Sequence, residues 1–295
     1  MKINRKALAV RLHADVNGPW LNIPGPGHKK ADRSLGIFVD PSAPDGFRMH
    51  SLAGDDLDEC RAYVKKLLAE VAINGSIHLS FEDDVVLHTK AEAHAAASRI
   101  SAEAQPIADT LASAYLTSRT CAPFEGEPWP ADLRFHPACP FRTFKFPALV
   151  ALMRDVFTGE PTGIHRTALK DDGSGKREMP EGVPSKMMLG RAKHAAVMLH
   201  PAGLDLGIAE GIETALSAHQ IFKMPVWAAL SAGGIREFPI IHSIKFLRVF
   251  ADHDEAGLSA ARICKRRYEA AGIEVEVRYP PEFGSDWNDY LMKEY

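Results

Sequence analysis

A chain of 295 residues has room for two or three small domains, and 46% hydrophobic with 25% charged residues is an ordinary globular composition. No apolar run approaches the roughly 18 to 20 residues that span a bilayer. The start, Met1-Lys2-Ile3-Asn4-Arg5-Lys6, lacks the apolar stretch and cleavage site of a secretory signal, so the cytoplasm is the expected location and a membrane is not an expected partner. A formal net charge of −3 gives no global case for nucleic-acid binding, although an acidic protein can carry a basic face. Cys60, Cys121, Cys139 and Cys264 stand far apart with no CxxC pair, which points to free thiols rather than a disulfide scaffold or redox motif.

Short β-like stretches at Trp20–Ile23, Leu35–Val39 and Phe47–His50 alternate with turn clusters at Pro24–Gly27 and Pro41–Gly46, predicting a small sheet. Asp56–Glu70 then spaces Leu57, Cys60, Tyr63, Val64, Leu67 and Leu68 at three- and four-residue intervals, an amphipathic helix with an acidic first turn. The Ala-rich run Thr89–Leu116 predicts a further helix, acting as a connector. The prolines between Cys121 and Pro140 predict irregular chain and a domain boundary near residue 140. A strand at Phe146–Met153, a turn at Thr158–Glu160, a second strand at Gly163–Leu169 and a loop at Asp171–Gly175 predict a hairpin with a long loop. From Leu206 onward the pattern changes to alternation: strands at Leu206–Ala209, Val226–Ala229, Phe246–Ala251 and Val275–Tyr279, with helices at Ile212–Ile221, Gly234–Phe238 and Ala256–Ala271 between them. That order predicts an α/β region with a mostly parallel, helix-covered sheet.

In such a sheet, functional groups collect beyond the carboxyl ends of the strands. Glu210 follows the first strand, Asp252 and Asp254 follow the third, and Asp286 and Asp289 come soon after the fourth. Taken singly, each acid reads as a helix cap. Together at successive strand ends, they suit one or two Mg²⁺ or Mn²⁺ ions, hard cations that take carboxylate oxygen. Gly257 allows a tight turn into the following helix, and Gly211 lets the backbone approach a phosphate closely.

The segments Leu206-Gly-Ile-Ala-Glu210-Gly-Ile-Glu-Thr-Ala215, Val249-Phe-Ala-Asp252-His-Asp254-Glu-Ala-Gly257 and Ser285-Asp286-Trp-Asn-Asp289 resemble the Toprim domain shared by bacterial-type primases, topoisomerases and some nucleases. The resemblance covers about residues 205–295 and implies that Glu210, Asp252 and Asp254 hold the catalytic metals, with Asp286 or Asp289 in a looser third acidic position. Upstream, Phe146-Pro147, Arg154-Asp155, Gly159, Gly163-Ile-His-Arg166 and Ser185-Lys186-Met-Met-Leu-Gly190 look like the primase subdomain that precedes Toprim. By that resemblance Arg166 and Lys186 contact phosphates, with Arg191 and Lys193 as neighbours; a solvated basic loop is the alternative. The N-terminal residues Gly25-Pro-Gly-His28, Ser34-Leu-Gly-Ile-Phe38 and Gly46–Asp55 resemble the zinc ribbon of primases. Only His28 stands at a ligand-like position, which implies a degenerate ribbon without zinc, still able to touch DNA through Lys29, Lys30 and Arg33.

The whole chain thus resembles a DnaG-type primase of a phage or other mobile-element branch. The implied fold is a Rossmann-like Toprim sheet (205–295) preceded by a mixed α+β primase subdomain (141–204), a helical connector (71–140) and a small ribbon-like domain (1–70). The implied activity is metal-dependent primer synthesis from nucleoside triphosphates on single-stranded DNA. A metal-dependent nuclease and a non-catalytic replication accessory protein are the alternatives, while a topoisomerase would need a separate tyrosine-bearing cleavage domain. No GxxxxGK[ST] motif is present, so a helicase would be a separate partner.

Overall fold

The computed structural model describes residues 5–17, 20–40, 43, 45–72, 90–181 and 183–294. They belong to two compact units, 1–87 and 88–295. The first unit opens with helix α1 (Arg5–Leu12) and carries a four-stranded antiparallel sheet in the order β1 (Asp15–Asn17), β2 (Trp20–Ile23), β3 (Leu35–Val39), β4 (Phe47–Ser51). Helix α2 (Leu57–Ala72) follows, its first turn held by the Asp56 carboxylate, which accepts from the Asp58 and Glu59 amides at 3.0 and 2.9 Å. Its stripe residues Cys60 and Val64 are fully buried against Leu8, Leu21, Ile23, Leu35 and Ile37, as the spacing predicts. His28 Nε2 lies 3.0 Å from Asp55, whose carboxylate also accepts from Ser51 at 2.7 Å, and the other ring nitrogen, Nδ1, meets Asp32 and Ser34. Lys29 and Lys30 are exposed, while Arg33 pairs with Asp15.

The second unit begins with α3 (Lys90–Glu103), β5 (Gln105–Pro106) and α4 (Leu111–Ser118). The single helix expected over Thr89–Leu116 is therefore two, broken at the strand that contains Pro106; Thr110 caps the second through a capping box. The part of the expected connector between residues 73 and 89 lies outside the described residues. No domain boundary falls near residue 140. Strands β6 (Leu133–Phe141) and β7 (Phe144–Asp155) form one hairpin across it; Pro123, Pro128 and Pro130 lie in irregular chain as expected, whereas Pro137 and Pro140 sit within β6. A register shift between His136 and Cys139 accommodates Pro137, since a bulge tolerates a residue that cannot donate to the ladder.

With β8 (Pro161–Ala168), β9 (Lys186–Gly190) and β10 (Ala195–Ala196) these strands make a six-stranded antiparallel sheet. Alternation along β7 fixes its two faces. Ala148 and Val150 pack with Ala97 and Ile100 of α3, whereas Leu149, Ala151 and Met153 pack with Tyr115 and Leu116 of α4.

The C-terminal sheet is parallel throughout, in the order β12 (Val226–Ala228), β11 (Asp205–Ala209), β13 (Phe246–Phe250), β14 (Glu274–Arg278). Helices α5 (Ile212–Phe222), α6 (Ala232–Arg236) and α7 (Glu255–Ala270) connect these strands, and α8 (Trp287–Glu294) closes the order. This is the parallel, helix-covered sheet that the alternation predicts. Leu206, Ile208, Leu247 and Val249 are fully buried on the face shared with α6 and α7. Each such side chain contributes roughly 1.5–3 kcal/mol relative to exposure. The other face, with Ala209, Phe250 and Trp287, joins α5 to the antiparallel sheet in one continuous core. Among the described residues no helix is long and apolar enough to cross a membrane.

Candidate active site

Parallel strands β11 and β13 are adjacent and in register, with Ala209 opposite Phe250. Their carboxyl ends therefore deliver Glu210 and Asp252 to neighbouring positions on one sheet edge. Asp254 follows as the N-cap of α7, its Oδ1 accepting from the Gly257 amide at 2.7 Å. Asp286 caps α8 through the Asn288 and Asp289 amides at 2.7 and 2.9 Å. The cap role and the clustered role thus coincide in the same side chains, because a helix that starts at a strand end puts its cap at the sheet edge.

The electrostatics show that these acids face one another. Burial raises the pKa of Glu210, and the charges of Asp254 and Asp286 raise it further, against a hydrogen bond from the Ala232 backbone and the charge of Lys186. Asp252 is pushed up to about 7, first by burial and then by Glu210, Asp286 and Asp254. Its Oδ1 is buried with no hydrogen-bond partner. A buried, unpaired carboxylate oxygen among like charges is costly unless a cation compensates it. Among the described residues no group of three or more His, Cys, Asp or Glu side chains is arranged to hold a metal ion by itself. The set fits a divalent ion that keeps several waters and takes one or two protein carboxylates better than it fits a dedicated protein cage. Asp289 is turned outward toward Arg119 at 3.7 Å.

The expected cations separate. Lys186 on β9 pairs with Thr167, and Arg166 pairs with Met187, so the two cations stand one residue out of step and the pleat turns them to opposite faces. Lys186 faces the acids and lowers the pKa of both Glu210 and Asp252. Arg166 points the other way, 5% exposed, its guanidinium bonded to the Pro140 carbonyl and 5.4 Å from the Phe141 ring centroid. The sheet core occupies that face, so Arg166 is not presented with the acids as expected. Arg191 is held by Asp155 at 2.8 Å and by the Lys193 carbonyl, and Lys193 is exposed.

Sequence reasoning missed the residue that organises this edge. Glu213, in the first turn of α5, is 5% exposed and binds Tyr115 Oη at 2.5 Å, Lys176 Nζ at 3.1 Å and Lys186 Nζ at 3.4 Å. Burial works to raise its pKa, but the charges of Lys186 and Lys176 and the Tyr115 hydrogen bond outweigh it and hold the carboxyl well below its usual range. Glu213 is therefore a buried anion that ties two lysines to the start of the helix following Glu210. The available signal was its place three residues after Glu210, in the first turn of the helix that follows; its partners lie 98, 37 and 27 positions off in sequence, the separations from Tyr115, Lys176 and Lys186. A hollow of about 460 Å³ lined by Trp129, His200 and His219 contains none of these acids or lysines.

A domain of unknown function, DUF7146, matches residues 91–199, and the Toprim domain matches residues 205–294. No curated protein matches the sequence. Solved structures similar to the chain include the zinc-binding and RNA polymerase domains of the Aquifex aeolicus primase, with 16% identity, 98% of this chain and 79% of that chain covered, and a TM-score of 0.47. The primase fragment of the bacteriophage T7 primase-helicase protein gives 14% identity, 93% and 98% coverage and a TM-score of 0.38. For a DNA primase domain from Pseudomonas aeruginosa the values are 15%, 54% and 52%, and 0.36, so the chain spans about half of that domain. Family model and parallel-sheet order agree on the C-terminal segment: residues 205–294 form a Toprim domain.

Proposed function

We propose that the chain is a primase-type nucleotidyltransferase that joins nucleoside triphosphates into short primers on single-stranded DNA. The observation that carries this reading is the uncompensated edge formed by Glu210, Asp252, Asp254 and Asp286, with Lys186 as the cation facing it. Glu210, Asp252 and Asp254 would hold Mg²⁺ or Mn²⁺, with Asp286 adding negative charge from the α8 cap. Bound there, a divalent ion supplies charge neutralisation for phosphate oxygens and favours in-line displacement by a hydroxyl. Lys186 and Lys176 would meet the phosphates from the opposite side as point charges. Glu213 positions both ammonium groups and prevents them from collapsing onto the acids, which keeps the two sides of the site apart until substrate enters. Primer synthesis is favoured over cleavage because this lysine pair comes from β9 and the β8–β9 connection of a separate antiparallel sheet placed before the Toprim segment. A helicase on another chain would supply the single strand.

Nucleotide incorporation on single-stranded DNA, with and without Mg²⁺ or Mn²⁺, tests the reading. Wild type is expected to give metal-dependent oligonucleotides, and Asp252→Ala with Asp254→Ala to lose them at least 100-fold while remaining folded, in line with the roughly 2.7–4 kcal/mol that one electrostatic catalytic group supplies. Template degradation without synthesis would replace the primase with a nuclease.

A further inference from the structure

The loop after β14 places two open aromatic rings beside the acidic edge. Tyr279 is 49% exposed and Phe283 is 67% exposed, although both are large apolar groups that normally lose water on folding. Both pack on His253, the residue between Asp252 and Asp254, with ring centroids 4.7 Å away for Tyr279 and 5.4 Å for Phe283. Their position is fixed by backbone. The Ala251 amide donates to Arg278 O at 2.9 Å, the His253 amide to Ser285 O at 2.9 Å, and the Gly284 amide to His253 O at 2.8 Å. Gly284 makes this clasp with φ +85°, a left-handed conformation that glycine adopts at little cost. The rings are thus held to the loop that carries the acids, while their outer faces remain free.

We propose that Tyr279 and Phe283 form a stacking platform for a base of the single-stranded nucleic acid whose phosphates approach the acidic edge. This rests on the functional reading above. Exposed aromatic rings bind bases irrespective of sequence, since every base has a π-face. A strand, rather than a free nucleotide, suits the surface because Phe283 also lines a shallow groove of about 320 Å³ that continues past Ser285 to Arg119, Met292 and Lys293. Its two cations, Arg119 and Lys293, pair with Asp289 and Glu282, so the length of the surface rather than its charge matches a chain that continues past the stacked base.

The test uses the full-length protein and a single-stranded oligonucleotide bearing one 2-aminopurine, followed by its fluorescence and by anisotropy, in EDTA and in Mg²⁺. Wild type is expected to quench the probe. Phe283→Ala and Tyr279→Ala are each expected to weaken binding by roughly tenfold and reduce the quench, whereas Phe283→Tyr and Tyr279→Phe retain both. Thermal unfolding of each variant checks that the loop change leaves the fold intact. Equal binding by wild type and both alanine variants, no binding by wild type, or a quench abolished by competing nucleoside triphosphate without displacement of the oligonucleotide would overturn the platform. Metal-dependent synthesis with unaltered binding in the alanine variants would leave the primase reading standing without the platform. Ring-dependent quenching without any synthesis would leave the platform standing without the primase.

Discussion

At the scale of single residues, the site is defined by which charges are compensated. Asp252 has an unpartnered buried oxygen and a raised pKa, while Glu213, more deeply buried, has three donors and a lowered one. Burial opposes ionisation in both cases, and partners decide the sign. His165 on β8 shows the same balance for a base. Burial, then the Lys186 charge, bring its pKa down to about 4, and its Nδ1 has no partner. In the unfolded chain a histidine titrates near 6.5. Between about pH 6.5 and about pH 4 the unfolded state therefore binds more protons, so stability is full above that window and falls as pH drops through it. The shift corresponds to roughly 3 kcal/mol. Urea unfolding of wild type and His165→Gln at pH 7 and pH 4.5 should show the variant losing less stability between the two conditions; equal losses would show that His165 is not protonated differently on unfolding.

At the scale of elements, strand register and close approaches set the chemistry. A one-residue offset between β8 and β9 decides that Lys186 faces the acids and Arg166 the core. The turn from β13 into α7 is equally tight. A Cβ on Gly257 would lie 2.5 Å from Asp252 O and 3.2 Å from Asp252 N, so any side chain must push the Asp252 backbone aside. Gly257→Ala is expected to cost about 1–3 kcal/mol in unfolding experiments and to lower metal-dependent turnover. Gly233→Ala in α6 is the comparison, because its Cβ would meet nothing nearer than Ser231 Oγ at 3.7 Å; alanine there gains helix propensity and should be neutral or stabilising. Similar losses in both variants would refute a special role for the Gly257 turn.

At the scale of the molecule, each unit has its own hydrophobic core. The core of the first draws its buried members from Leu8 to Val64, and the cores of the second begin at Ala97. A fragment of residues 88–295 is accordingly expected to fold alone with a single cooperative urea transition and native-like circular dichroism. A fragment that stays unfolded would show that the second unit depends on the first. The same division corrects the sequence-based boundaries: residues 90–141 are part of the antiparallel sheet and its helices, joined to it by the β6–β7 pairing, rather than a connector.

The parallel order of the C-terminal sheet was legible because strand and helix periods alternate there, and short segments with local hydrophobic patterns report their own structure. The clustering of Glu210, Asp252, Asp254 and Asp286 followed from the same pattern, since strand ends of one parallel sheet share an edge. Residues 133–141 misled, although 121–132 are irregular as expected, because proline reports a lost donor, and only the neighbouring strand shows that a bulge absorbs it. Pairings across long sequence separations left no local trace: Tyr115 with Glu213, Lys176 and Lys186 on the same carboxylate, and Phe283 against His253. The sequence by itself determined where strands end and which acids stand there. Tertiary structure decided which of those charges are paired, because the face a side chain presents depends on register, and the partner it meets depends on chain brought from far away.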